Sequence, residues 1–324
     1  MPKRLQTRLT ELLDIEHPVL LAPMDRIAGG ALAAAVTSAG GLGLIGGGYG
    51  DADWLEAQFG AAGNQAVGVG FITWSLAQRP ELLDQVIAHS PAAVMFSFGD
   101  AEDMVCKTRD AGVRTIWQVQ RLEQARQALG AGTDIIVVQG QEAGGHGMDR
   151  GLMSLLPAVR DLAGDDQAIV AAGGLADGRG LAAALMLGGD GVLMGTRFWA
   201  SAEADGAEAD KAELAKAEGD RTVRTKVFDL ARGLDWPWHY TGRVVHNAFS
   251  EKWHGDIEGL KGDLAAQQAA YAGSAPDDFE TRVVIGGEAV DLIDSVKPAA
   301  EIVQETVAEA AALLSGARAQ LAAE

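Results

Sequence analysis

The stretch Asp134-Ile-Ile-Val-Val-Gln-Gly-Gln-Glu-Ala-Gly-Gly-His-Gly147 joins an apolar run to a glycine-rich loop carrying one histidine. The apolar half reads as a buried strand, because a continuous run is what a strand covered on both faces requires. The loop half reads as a ligand site. Glycine lets backbone come close to a ligand and take positive φ, and histidine exchanges protons near neutral pH.

Working outward, the same alternation fills the first two-thirds of the chain. Apolar runs at 17–23, 42–46, 66–72, 92–98, 113–119, 134–139, 168–173 and 191–195 read as strands. Between them, 30–39, 53–59, 80–88, 103–111, 122–129, 154–163 and 178–187 read as helices. Leu122, Ala125 and Leu129, and then Leu152, Leu155, Leu156 and Val159, carry the i, i+3, i+4 spacing of a buried stripe. Eight strands alternating with helices predict an α/β fold, a (β/α)8 TIM barrel, with a doubly wound sheet as runner-up. The barrel core is expected over residues 1–201. Residues 202–324 are expected to form the last barrel helix plus a mostly helical subdomain. Within that part, 202–219 reads as an exposed helix, 221–260 collects aromatic and basic groups, and 298–324 reads as a long helix with Ile302, Val303, Val307, Ala310, Ala311 and Leu314 on one side.

Composition narrows the function. Of 324 residues, 26 are Lys or Arg and 45 are Asp or Glu, a formal net charge of −19. That leaves no positive field for nucleic acid or an anionic membrane, so a phosphate must be held locally by amides and helix ends. Cys106 is the only cysteine; it reads as a small buried residue in mid-helix, and no intramolecular disulfide is possible. No run reaches the ~18 apolar residues of a membrane span. A cytoplasmic protein is expected, with a homodimer left open.

In such barrels the site lies at the C-terminal ends of the strands, often with a phosphate pocket after strands seven and eight. Glycines fall at both places, in Ala171-Ala-Gly-Gly-Leu-Ala-Asp-Gly178 and Met194-Gly-Thr-Arg-Phe-Trp199. The amides of Gly173, Gly174, Gly195 and Thr196, with the Thr196 hydroxyl, are candidates for a phosphate; the alternative is that these glycines only turn the chain. Gly41-Leu-Gly-Leu-Ile-Gly46 matches GxGxxG but falls within a strand run, where glycine packing explains it better. Of six histidines, His17 and His89 read as structural. His239, His246 and His254 are too widely spaced for a compact metal site, and no metal is expected. His239 is a candidate pocket residue among Trp236, Trp238 and Tyr240. His146 leaves strand six toward the site and is the catalytic candidate.

Taken together, the Gln139–Gly147 segment, Ala171-Ala-Gly-Gly174, Met194-Gly-Thr-Arg-Phe198, the opening His17-Pro-Val-Leu-Leu-Ala-Pro-Met24 and Ala39-Gly-Gly-Leu-Gly43 resemble the nitronate monooxygenases, formerly 2-nitropropane dioxygenases. Gly242-Arg-Val-Val-His-Asn247 and Gly286-Gly287 fit more loosely. The resemblance implies non-covalent FMN in a TIM barrel under a helical, substrate-covering subdomain. It implies that Ala22, Pro23 and Met24 lie along the flavin, that Gln139 bonds its ring or ribityl chain, and that Gly144 and Gly145 come close to it. It places the phosphate on Gly173, Gly174, Gly195 and Thr196. It makes His146 the group that takes the α-proton of a nitroalkane or binds nitronate oxygens, with O2 as co-substrate and nitrite and a carbonyl compound as products. The chain departs from the family at Gly70, where many members carry asparagine; one flavin hydrogen bond is therefore expected either to be missing or to be supplied by Thr73 or Gln118. An NAD(P)H-dependent flavin reductase, acting on quinones or an enoyl-acyl-carrier-protein, uses the same scaffold. An isomerase or aldolase barrel without flavin would use the same phosphate glycines.

Overall fold

In a computed structural model, residues 5–321 are described, with side chains through residue 317. Eight parallel strands, Val19–Leu21, Leu44–Gly48, Gly68–Ile72, Ala93–Ser97, Arg114–Val119, Ile135–Gln139, Ala168–Ala172 and Gly191–Met194, pair in chain order, with the eighth returning to the first. Leu20 bridges Leu42, and Leu21 N–H donates to the Leu42 carbonyl at 3.0 Å, which closes the ring. Every expected strand is found, within about two residues at each end, and so is each of the seven expected helices of the first 187 residues, with 53–59 lengthened to Ala52–Ala62.

Strand side chains alternate between two faces, and here the two faces build two cores. Leu20, Leu44, Met95, Ile116, Ile135, Val137, Val170 and Leu193 point inward and fill the barrel, with Leu9 and Ile15 packed beneath them. Val69, Phe96, Trp117, Ile136, Val138, Ile169 and Val192 point outward under the helices. At this period the last inward positions are Ala22, Gly70, Ser97, Gln118, Gln139, Ala172 and Gly195, so the pattern itself aims them at the upper mouth of the barrel, where they line one cleft.

Gly70 has a steric reason. A Cβ built there would lie 2.1 Å from Pro23 Cγ and 2.4 Å from its Cβ. Both residues stand on or beside barrel strands, so the ring has nowhere to go. Gly70→Ala is expected to destabilise the fold by about 1–3 kcal/mol, the usual range for overpacking. Urea denaturation monitored by circular dichroism would detect it; an unchanged midpoint would show that Pro23 yields.

The chain between strand eight and the last barrel helix forms the part that covers the mouth. An antiparallel ribbon runs in the order Thr222–Thr225, Thr241–Val245, Gly145–Gly147, so its edge strand comes from the loop after strand six. Helices Val227–Arg232, Ala248–Trp253, Ile257–Gly262 and Leu264–Gly273 pack round Val227, Phe228, Val244, Phe249, Trp253, Leu260 and Tyr271. Helix Ala299–Leu321 then returns to the barrel and packs against helices Gly178–Met186 and Gly30–Ser38. Ile302, Val303, Val307 and Ala310 are buried, as expected, whereas Ala311 and Leu314 are only partly so.

Two expectations fail here. The segment 202–219 is not one exposed helix. Only Glu208–Leu214 is α-helical, with Lys211 and Leu214 buried, because the preceding residues are tied down through Ala202 N–H to the Lys297 carbonyl and, beside the first strand, Asp205 N–H to the Ile27 carbonyl. Cys106 is exposed, not buried. On helix Glu102–Asp110 the inward positions belong to Val105 and Thr108, and Cys106 is turned away from them.

Candidate active site

The loop after strand six is held from all sides. Glu142 accepts from Leu152 N–H through both carboxylate oxygens, at 3.0 and 3.1 Å, and so caps the following helix. From the ribbon, Arg224 donates to the carbonyls of Gln141 and Ala143, and Arg243 donates to that of Gln141. Burial pushes Arg224 down to about 10. A Cβ on Gly144 would lie 2.7 Å from Gly287 N, so the glycine pair at 286–287, singled out in the sequence, packs against the loop backbone. This clamping fixes the direction in which His146 leaves the chain.

A cleft of about 400 Å³ lies above the barrel mouth. Ala22, Pro23, Met24, Gly70, Gln118, Gln139, Gly144, Gly145, His146, Gly173, Gly174, Gly195 and Thr196 all line it, so these sequence candidates come together in one cleft, whereas Thr73 and His239 do not. Gln139 bonds to protein through both its amide oxygen and its amide nitrogen. Its oxygen accepts from Gln120 at 2.9 Å and Gln118 at 3.4 Å, and its amide donates to the His146 carbonyl at 3.2 Å. Thr73 is buried outside the lining and its hydroxyl has no partner there, so of the two replacements for asparagine only Gln118 reaches the cleft. His239 is exposed and also outside the lining; it is Trp236 of that segment that turns in. His89 is structural as expected, stacked on Phe59 and bonded to Glu56.

Part of the cleft lining carries unpartnered backbone amides. Gly173 and Gly174 have φ of 101° and 70°, conformations open to glycine at little cost. Among the described residues the amides of Gly174, Gly195 and Thr196 donate to no protein group. The Thr196 oxygen accepts from Gly287 N–H at 3.1 Å, which leaves its own proton free to donate. Converging unsatisfied amides are what a phosphate needs in a strongly acidic chain.

The same cleft holds His146. Its Nε2 lies 2.9 and 3.1 Å from the two carboxylate oxygens of buried Asp229, on helix Val227–Arg232. Its ring stacks on Trp236 at 3.5 Å and 4°. The Trp236 indole N–H donates to the Tyr49 hydroxyl at 2.8 Å, and burial pushes that phenol up to about 12. Phe98 faces His146, Trp236 and Tyr240 edge-on, with φ of 67°, a conformation rare for an aromatic residue. Burial holds the His146 imidazole below its usual 6.5; Asp229 opposes the shift, and Lys226 and Arg232 add to it. The sequence reading missed Asp229, Tyr49 and Phe98. The aromatic segment 236–240 was the one signal available for this wall.

The profile of the nitronate monooxygenase family matches residues 6–64 and 64–309. The protein named nitronate monooxygenase npaC of Metarhizium robertsii is 36% identical over 337 residues, covering 94% of this chain and 93% of its own. FabK from Thermotoga maritima superposes with a TM-score of 0.84 at 30% identity, covering 97% of this chain and 99% of its own. Nitroalkane oxidase from Streptomyces ansochromogenes superposes with a TM-score of 0.76 at 27% identity, covering 94% and 99%. Fold and site together define a flavin-dependent oxidoreductase of the (β/α)8 class. Within that class, the chain belongs to the nitronate monooxygenase family.

Proposed function

We propose that this protein oxidises alkyl nitronates with O2 to a carbonyl compound and nitrite, using non-covalently bound FMN. The observation that carries the reading is that His146 shares one cleft with a set of unpartnered amides, in a chain matched to this family over most of its length. The cleft residues fit FMN. Gly173, Gly174, Gly195 and Thr196 would hold the phosphate, Gln118 the ribityl chain, and Ala22, Pro23, Met24 and Gly70 would flank the ring, with Gly144 and Gly145 close to it. Gln139 would act mainly by fixing Gln118 and the His146 loop.

When bound, FMN supplies the electron chemistry between nitronate and oxygen. The protein's share is placement. Trp236, Phe98 and Tyr49 line an aromatic part of the cleft beside His146, and His146 would present its ring to the substrate there. Residues 202–298 would shut this part of the cleft from above. The exposed, unpaired Cys106 fits a reducing compartment, and the reading places the enzyme in the cytoplasm. No helix among the described residues is long and apolar enough to cross a membrane.

Purified protein is expected to be yellow, to consume oxygen when given a preformed nitronate, and to release nitrite. Rapid anaerobic bleaching by NADH, without nitronate turnover, would move the assignment to a flavin reductase. A colourless protein that takes up no FMN would reject it altogether.

A further inference from the structure

We infer that Asp229 is a positioning residue that holds His146 as the Nε2–H tautomer, leaving Nδ1 to take the α-proton when the substrate is a neutral nitroalkane; this deepens the reading of that site and rests on the function proposed above. Both Asp229 oxygens bracket Nε2, and among the described residues that carboxylate accepts from no other group. A neutral imidazole must therefore carry its proton on Nε2, since two facing lone pairs would repel inside a dry wall. Nδ1 bonds to no described residue, yet it is not among the buried unpartnered atoms, so it keeps contact with solvent. The ring plane is fixed by Trp236, itself tied to Tyr49. A ring flipped about Cβ–Cγ would offer the carboxylate a C–H and leave a buried charge unpaired, a costly exchange.

The chemistry follows from charge. When the α C–H bond of a neutral nitroalkane breaks, its proton goes to Nδ1 and its electron pair moves into the nitro group, giving the nitronate. His146 becomes an imidazolium beside Asp229, so the buried pair ends neutral overall and the cost of charging the ring is offset. The other charged or titratable groups facing His146 are Lys226 and Arg232, both cationic, and the Tyr49 phenol across the stack. Lys226 is committed to the carbonyls of Trp236 and Pro237. Asp229 is thus the group that makes the imidazole a competent base. A nitronate supplied already ionised has no proton to give, and there Asp229 has little to do.

The test compares Asp229→Asn with the parent holoenzyme on a neutral nitroalkane and on the same compound preformed as its nitronate. The expected loss in kcat/KM is roughly 10²–10⁴-fold on the neutral form, the range for a disabled base or its orienting carboxylate, and only a few-fold on the nitronate. The acid limb of the neutral-substrate profile is expected to move to lower pH. Equal losses on both forms, or none on either, would overturn the inference. Nitrogen-15 NMR of the parent's His146 supplies a readout independent of turnover: protonation at Nε2 is expected, and protonation at Nδ1 would overturn it. If the parent turns over neither form, the proposed function fails, and the NMR result still decides the tautomer.

Discussion

Gly174→Asp is expected to yield a folded barrel that does not retain FMN. Aspartate is among the residues that tolerate positive φ, so the 70° at this position costs little beside the charge. Its Cβ would sit 3.0 Å from Glu142 Cβ, an approach that a small shift of Glu142 can relieve. The carboxylate would then stand against the cofactor phosphate. Two like charges about 4 Å apart repel by about 4 kcal/mol at an effective dielectric of 20, enough to weaken binding about a thousandfold. Gly174→Asn has nearly the same shape without the charge and should stay largely yellow. Absorbance of the two variants after gel filtration, with FMN titration of each, measures the difference. Undiminished colour in the aspartate variant would remove the phosphate from this part of the cleft.

His146→Asn is expected to lose roughly 10²–10⁴-fold in kcat/KM on a neutral nitroalkane, the usual worth of a general base. On a preformed nitronate the loss should be much smaller, because only hydrogen bonding to the anion is altered. The parent's own pH profile provides a second check. Burial holds the imidazole below 6.5, and a base works only when unprotonated. Activity on the neutral substrate should therefore persist as pH falls through 6.5 and decline only below it. Steady-state oxygen uptake over that range measures both effects; a decline beginning above 6.5, or equal losses on the two substrate forms, would mean that His146 binds an anion and removes no proton.

The barrel was legible because a strand covered on both faces must be apolar throughout, and eight such runs alternate with helices. Its upper rim was legible for a related reason: glycines at Gly173, Gly174 and Gly195 interrupt those runs where strands end. Asp229 was not legible. It stands 83 positions from His146, in a helix with no motif, and only the ribbon that pairs Gly242 with His146 brings the two together. Phe98 was read as the end of a strand, and its positive φ has no sequence signal. Cys106 was misread because one step round a helix turns a residue from core to solvent, and the stripe on that helix is short. Gly70 was read as a departure from the family, and its cause lay in Pro23, distant in sequence but adjacent in the barrel.

Helix Ala299–Leu321 fills the groove between the first and seventh barrel helices, although it follows strand eight only after the whole covering segment. During synthesis, then, all eight strands emerge while one flank of the barrel is still bare. The apolar surface awaiting Ile302, Val303 and Val307 stays open until the covering segment has also been made. Domains tend to fold as units, and exposed apolar surface invites aggregation meanwhile. The order in which the ribosome delivers these parts means that this seam of the barrel closes only after the covering segment has been made, and until then that flank is where the growing chain is most open to aggregation.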